Sequence, residues 1–90
     1  MNKAVITVVG QDTVGIIARV CTYLSERKVN VLDISQTIID GFFNMMMIVD
    51  YGGADLPFDS MVTDLDGLGQ EIGVRIHCQR EEIFTKMHRV

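Results

Sequence analysis

The sequence predicts an α+β fold. It reads as a ferredoxin-like βαββαβ sandwich, a four-stranded antiparallel sheet with two helices on one face and a short C-terminal helical tail. Three observations predict it. Four short β-rich runs are interrupted by two stretches of helical period. The two middle runs are joined by Asp40-Gly41, a strong two-residue hairpin signal. The chain has 90 residues, enough for one core and too few for a second. Residues 1–80 are therefore read as the domain, and 81–90 as its C-terminal helical extension.

Ala4-Val5-Ile6-Thr7-Val8-Val9 is β-branched and stops at Gly10, which marks a first strand. Gly10 to Gly15 reads as a loop. From Val14 the period turns helical, with Val14, Ile17, Cys21 and Leu24 on one stripe and Val20 beside it. Arg27-Lys28 suits the negative end of that helix. Val29 to Ile39 and Phe42 to Tyr51 form the hairpin strands, and Gly52-Gly53 closes the second. Pro57 opens another amphipathic stretch, with Phe58, Met61, Val62, Leu65, Leu68 and Ile72 in helical spacing and Gly73 as its C-terminal cap. Gly67 and Gly69 each weaken that helix by about 1 kcal/mol relative to alanine. Val74, Ile76 and Cys78 alternate with Arg75, His77 and Gln79 in a fourth strand. Right-handed crossovers put the first and third strands at the centre.

Both faces of the first strand are mostly apolar: Ala4, Ile6 and Val8 on one, Val5, Thr7 and Val9 on the other. An open sheet face on a monomer does not need this, so a homodimer is expected. No apolar run approaches the ~18 residues of a membrane span, and Met1-Asn2-Lys3 leads straight into a strand. The expectation is a cytoplasmic protein with no membrane partner. Cys21 and Cys78 fit no metal or disulfide spacing and read as reduced, buried small hydrophobes. His77 and His88 lack the carboxylate spacing of a metal site. Neither a metal nor a cofactor is expected.

The net charge of −4 opposes nucleic-acid binding. A local cluster of Arg75, His77, Arg80, Lys86, His88 and Arg89 is diluted by Glu81 and Glu82. An RNA-recognition sheet would stack bases on aromatics, but Phe42 and Phe43 are adjacent in a strand and point to opposite faces. A metallochaperone needs paired cysteines in the first loop, and Gln11 to Ile16 has none. A phosphate-cradling enzyme of this fold needs an arginine there, and the nearest is Arg19, inside the helix. Met45-Met46-Met47 splits between two faces and reads as packing. With no nucleophile, base and orienting acid at recognisable spacing, the protein is read as a non-enzyme.

What remains is the first loop and the second strand. Asp12 can cap the helix, Gly15 permits close approach, and the first helical amides suit a carboxylate. In these stretches the chain resembles the ACT domain, a small-molecule sensing module usually built for amino acids. The resemblance is carried by Val5-Ile6-Thr7-Val8-Val9-Gly10-Gln11-Asp12-Thr13-Val14-Gly15-Ile16-Ile17-Ala18-Arg19-Val20 and by Val29-Asn30-Val31-Leu32-Asp33-Ile34-Ser35-Gln36. The chain departs from the family at Thr13-Val14, where an arginine or lysine and a proline are frequent.

The tail from Gln79 to Val90 is similar to the ending of small stand-alone bacterial ACT proteins, related to the two-unit glycine cleavage system transcriptional repressor. Independently, Ile83, Phe84, Met87 and Val90 form a helical stripe. The resemblance implies a regulatory protein that binds a small ligand, such as an amino acid, at a homodimer interface. Backbone at Asp12, Thr13, Val14, Gly15 and Ile16 would hold its carboxylate. Asn30, Val31, Leu32 and Asp33 of the neighbouring subunit would meet its ammonium group, with the Asn30 side chain foremost. The alternative is an adaptor that binds a transcription regulator or a metabolic enzyme and no small molecule.

Overall fold

The computed structural model describes residues 2–11 and 14–82. Its elements are β1 (Lys3–Gln11), α1 (Ile16–Glu26), β2 (Asn30–Ile39), β3 (Phe42–Asp50), α2 (Phe58–Ile72) and β4 (Arg75–Arg80). They form one antiparallel sheet in the order β2-β3-β1-β4, with β1 and β3 central as the crossover rule requires. This is the ferredoxin-like βαββαβ fold. Of the expected tail, residues 83–90 lie outside the described residues.

Strand alternation sorts the sheet into two faces. Ala4, Ile6 and Val8 of β1, Phe43, Met45, Met47 and Val49 of β3, and Ile76 and Cys78 of β4 are buried on the helix face. They pack with Ile16, Val20 and Leu24 of α1 and Met61 and Leu65 of α2. Burying side chains of this size stabilises by about 1.5–3 kcal/mol each. Met46 is exposed between the buried Met45 and Met47, and Phe42 is exposed beside the buried Phe43. The methionine run is thus packing, as its alternation predicts.

The hairpin turn puts Asp40 at φ 54° and Gly41 at φ 79°, the doubly left-handed backbone that favours Asp-Gly. α1 starts two residues later than the sequence period suggests. Val14 does not join its stripe and stands fully in solvent ahead of the first turn. Ile16, Val20 and Leu24 take the buried line instead, with Ile17 and Cys21 half-buried beside it. The helix ends at Glu26, so Arg27 is its C-cap and Lys28 turns left-handed at φ 61°.

α2 follows Pro57 and stops at Gly73, whose φ of 92° makes it the C-terminal cap expected. Gly69 has a further reason to be glycine: a Cβ there would sit 2.7 Å from the Val74 carbonyl oxygen, where α2 lies on the start of β4. The helices are tied across their outer surfaces. The Tyr23 hydroxyl donates to Asp64 Oδ2 at 2.6 Å, and Arg19 pairs with Glu71. Burial, then the Asp64 acceptor, holds the Tyr23 phenol well above its usual pKa.

Candidate functional site

β1 runs past the predicted loop start. Gly10 pairs opposite Phe43 and Gln11 opposite Phe42, so the strand reaches the edge of the first helical turn. Gly10 can do this because its bare Cα fits under Val74; a Cβ would lie 2.8 Å from Val74 Cγ1. Asp12 and Thr13 lie outside the described residues. The N-cap of α1 is Gly15, at φ 90° and ψ 3°, and among the described residues no side chain caps the helix. The expected capping by Asp12 therefore falls outside the described residues, and the N-cap glycine itself brings no side-chain acceptor to the first amides.

Gly15 also carries a different meaning from the one its sequence suggests. A Cβ there would meet nothing within 4 Å, yet the backbone is left-handed. Glycine is needed for conformation at that position. It does not by itself mark the close approach of a ligand.

Beside this turn a cleft of about 320 Å3 opens between α1 and the end of the β2–β3 hairpin. Gly15, Ile16, Ile17 and Ala18 form one wall, and Gln36, Ile38 and Phe43 the other. Its size is at the low end of the ~300–1,000 Å3 typical of ligand sites, and its lining is apolar with one amide side chain. The sequence pointed to Gly15 and Ile16 but not to Gln36, Ile38 or Phe43. A signal existed: Ile34, Gln36 and Ile38 alternate on the helix face of β2, and Gln36 breaks an otherwise apolar row.

The second predicted half lies elsewhere. Asn30 and Val31 share a shallow depression of about 440 Å3 with Cys21, Ser25, Lys28 and Val29, at the far end of α1. Leu32 is the extra residue of a bulge between Val31 and Asp33, and it is partly exposed. Asp33 faces the opposite side of the sheet, paired with Ile48. Asn30 and Ile38 are separated along β2 by eight steps, roughly 26 Å at ~3.3 Å per residue. One chain does not bring the two halves together.

β2 itself is bare. It pairs with β3 on one side and forms the sheet edge on the other, and apart from the half-buried Val31 its residues are exposed. Ile34, Ile38 and Ile39 are among them. A long apolar edge of this kind is a template for another strand.

Nothing else among the described residues makes a chemical constellation. No three His, Cys, Asp or Glu side chains there can share a metal ion. Cys21 and Cys78 are both unpaired; Cys78 is buried and Cys21 half-buried. Burial pushes the Cys78 thiol up to about 12, which keeps it protonated and unreactive. A mixed-charge hollow of Asn2, Lys3, Tyr51, Arg80, Glu81 and Glu82 sits at the other end of the sheet. There the Arg80 guanidinium lies 4.6 Å over the Phe58 ring. By register Arg75 and His77 stand on the face away from the helices and Arg80 on the helix face, so these members of the basic cluster are split. No helix among the described residues is long and apolar enough to cross a membrane.

Comparison with known proteins agrees with this fold. The ACT domain family model matches residues 2–79. A UPF0237 protein of Bifidobacterium longum is 79% identical over the whole of both chains. Among solved structures, an ACT domain protein from Streptococcus pneumoniae superposes with a TM-score of 0.81 at 38% identity, over 92% of this chain and 93% of its own. A protein assigned as a glycine cleavage system transcriptional repressor superposes at 0.75 with 25% identity, over 88% of this chain and 45% of that one.

Proposed function

Because the chain belongs to the ACT domain family, we propose that it is a non-enzymatic regulatory protein that senses a small ligand, an amino acid, at a boundary between two copies of itself. The observation that carries this reading is the separation of the two predicted half-sites along one bare strand. Gly15 and Ile16 open on the cleft beside Ile38, whereas Asn30 and Val31 lie at the other end of β2. If two copies pair their β2 edges antiparallel about a twofold axis, residues 30–33 of one approach residues 36–39 of the other. Each cleft then acquires the half that its own chain does not supply.

The chemistry of the parts supports an amino acid. The first amides of α1 favour a carboxylate. The Asn30 side-chain oxygen and nearby carbonyls can accept from an ammonium group, and Ile38 and Phe43 offer an apolar wall. The two free thiols fit a reducing, cytoplasmic setting.

Sedimentation and calorimetric titration with the common amino acids test the reading together. The expected result is a dimer at micromolar concentration and one amino acid that binds and raises the melting temperature by linkage, about 2.7 kcal/mol at a hundredfold excess over Kd. Asn30→Ala should weaken binding and leave the unliganded melting temperature unchanged. A clean monomer, or no heat with any amino acid, overturns it.

A second reading, an adaptor for a transcription regulator or metabolic enzyme, is favoured by one observation. Val9, Ile39, Phe42 and Met46 are exposed and by register share the sheet face away from the helices. Saturable binding to such a protein that no amino acid alters would select it.

A further inference from the structure

The row of β2 that shares the helix face holds one residue out of keeping with its neighbours. By register Ile34 stands opposite Met47, Gln36 opposite Met45 and Ile38 opposite Phe43, and all three β3 partners are buried. The polar residues of the strand have a row of their own on the other face, where Ser35 and Thr37 stand opposite Met46 and Asn44. Gln36 is thus an amide in an apolar row. Its neighbours there are Ile34 and Ile38 along the strand, Met45 across it, and Met47 and Phe43 on the diagonals. None of these side chains carries an N–H, an O–H or a carbonyl. Within one chain the amide is exposed and solvent can serve it. Once the cleft is filled and a second β2 edge lies alongside, solvent is displaced and the amide needs another partner.

The rest of the cleft narrows what that partner is. Gly15, Ile16, Ile17 and Ala18 on one wall, and Ile38 and Phe43 beside Gln36, bring no charge to it. The next residue of α1 is Arg19, and its guanidinium is engaged with Glu71 of α2. The bulge at Leu32 turns Asp33 to the opposite face, so the segment of a second copy brings no carboxylate to this side from that position. A charged side chain entering here would be left unpaired. A wholly apolar one would leave Gln36 unpaired. A carboxamide does neither, because its N–H2 and C=O match the acceptor and donor of Gln36.

We infer that Gln36 is the specificity-determining residue of the cleft, and that the ligand it selects is an amino acid with a side-chain carboxamide. The inference rests on the amino-acid reading above and deepens it by naming the class of side chain. The α1 amides recognise a carboxylate that every amino acid has, and discrimination falls to the wall they face.

Calorimetric titration of the full chain with two matched sets tests it. One set is glutamine, methionine and glutamate, and the other is asparagine, leucine and aspartate; the members of each are close in size. Within the set that binds, the amide should bind about tenfold more tightly than the apolar member, the worth of a reciprocal pair of hydrogen bonds. The acid should give no saturable heat at millimolar concentration. Gln36→Leu should reverse the order of amide and apolar member. Ser35→Ala, on the opposite face, should leave the order as it is in the parent. An apolar or acidic member that binds the parent best, or an amide preference that survives Gln36→Leu, overturns the inference and leaves the amino-acid reading standing. Saturable heat with none of the six also overturns it, and the remaining common amino acids then decide the amino-acid reading alone.

Discussion

β3 and β2 lie side by side, are of nearly equal length and are both rich in apolar residues, yet only one of them is inside. On the helix face Ile34 pairs with Met47 and Ile38 with Phe43. Met47 and Phe43 are buried, whereas Ile34 and Ile38 are 42% and 58% exposed. The residues differ little in hydrophobicity. What differs is coverage, because the helices shield the two central strands and leave the β2 edge uncovered. An apolar pattern records that a side chain is to be covered, and it does not say by what. On β3 the cover belongs to the same chain, and on β2 we assign it to a second one.

The sharpest way to break this comparison is to truncate across one pair. Met47→Ala empties a fully buried position, and calorimetry or chemical unfolding should show a loss of about 2–5 kcal/mol. Ile34→Ala, directly opposite, should stay within about 0.5 kcal/mol when measured dilute enough to be monomeric. Equal losses at high dilution would mean that β2 is stabilised within its own chain.

A second pair removes hydrophobicity from the contrast. Gly67 and Gly69 lie two residues apart on α2, but a Cβ at Gly69 would strike the Val74 carbonyl at 2.7 Å and one at Gly67 meets nothing within 4 Å. Gly69→Ala should destabilise by about 1–3 kcal/mol through overpacking. Gly67→Ala should stabilise by up to about 1 kcal/mol through helix propensity. Thermal unfolding reads both, and the same sign in the two variants would sink the close-approach explanation of Gly69.

Ile38→Lys asks the question of β2 alone. Its side chain is exposed in one chain, so the melting temperature at low concentration should hardly move. Sedimentation at micromolar concentration should nevertheless shift from dimer to monomer, since a lysine in a paired edge is a disfavoured neighbour for an apolar strand. A dimer that survives the lysine must be built from another surface.

The element order and the strand alternation were legible because they rest on local chemistry: β-branched runs, helical spacing, and Asp40-Gly41 at the turn. So was the placement of β1 and β3, which follows from handedness. What was not legible depends on contacts between distant residues. Gly10 reads as a strand terminator until Val74 is seen above it, and β1 then continues to Gln11. Val14 fits the helical period but precedes the left-handed Gly15, so it never joins the helix. Of the candidate site, Gly15 and Ile16 were found from the loop. The facing wall of Gln36, Ile38 and Phe43 was missed because it comes from the hairpin, twenty or more residues further along the sequence. The bulge at Leu32, which turns Asp33 to the other face, has no local signal in Val31-Leu32-Asp33.

The smallest expected effect compares the two thiols, and it tests coverage by chemistry rather than by truncation. Cys78 lies on the helix face of β4, opposite Ile6, and is 7% exposed; Cys21 is half-buried on α1. At neutral pH a maleimide should modify Cys21 in the folded protein and reach Cys78 only through unfolding. Burial also couples Cys78 to pH, because its thiol is raised from 9.0 to about 12. Between those values the unfolded chain releases the thiol proton while the folded chain keeps it. The unfolded state then binds fewer protons, so stability falls as pH rises through that window and is unaffected by this group below it. Tyr23, also raised, adds to the alkaline loss in the same direction. Cys78→Ala should therefore flatten, without abolishing, the fall of melting temperature above about pH 9. An alkaline slope identical to that of the parent protein would show that the thiol is solvated in solution, and with it that the β4 side of the core is less closed than the β3 side.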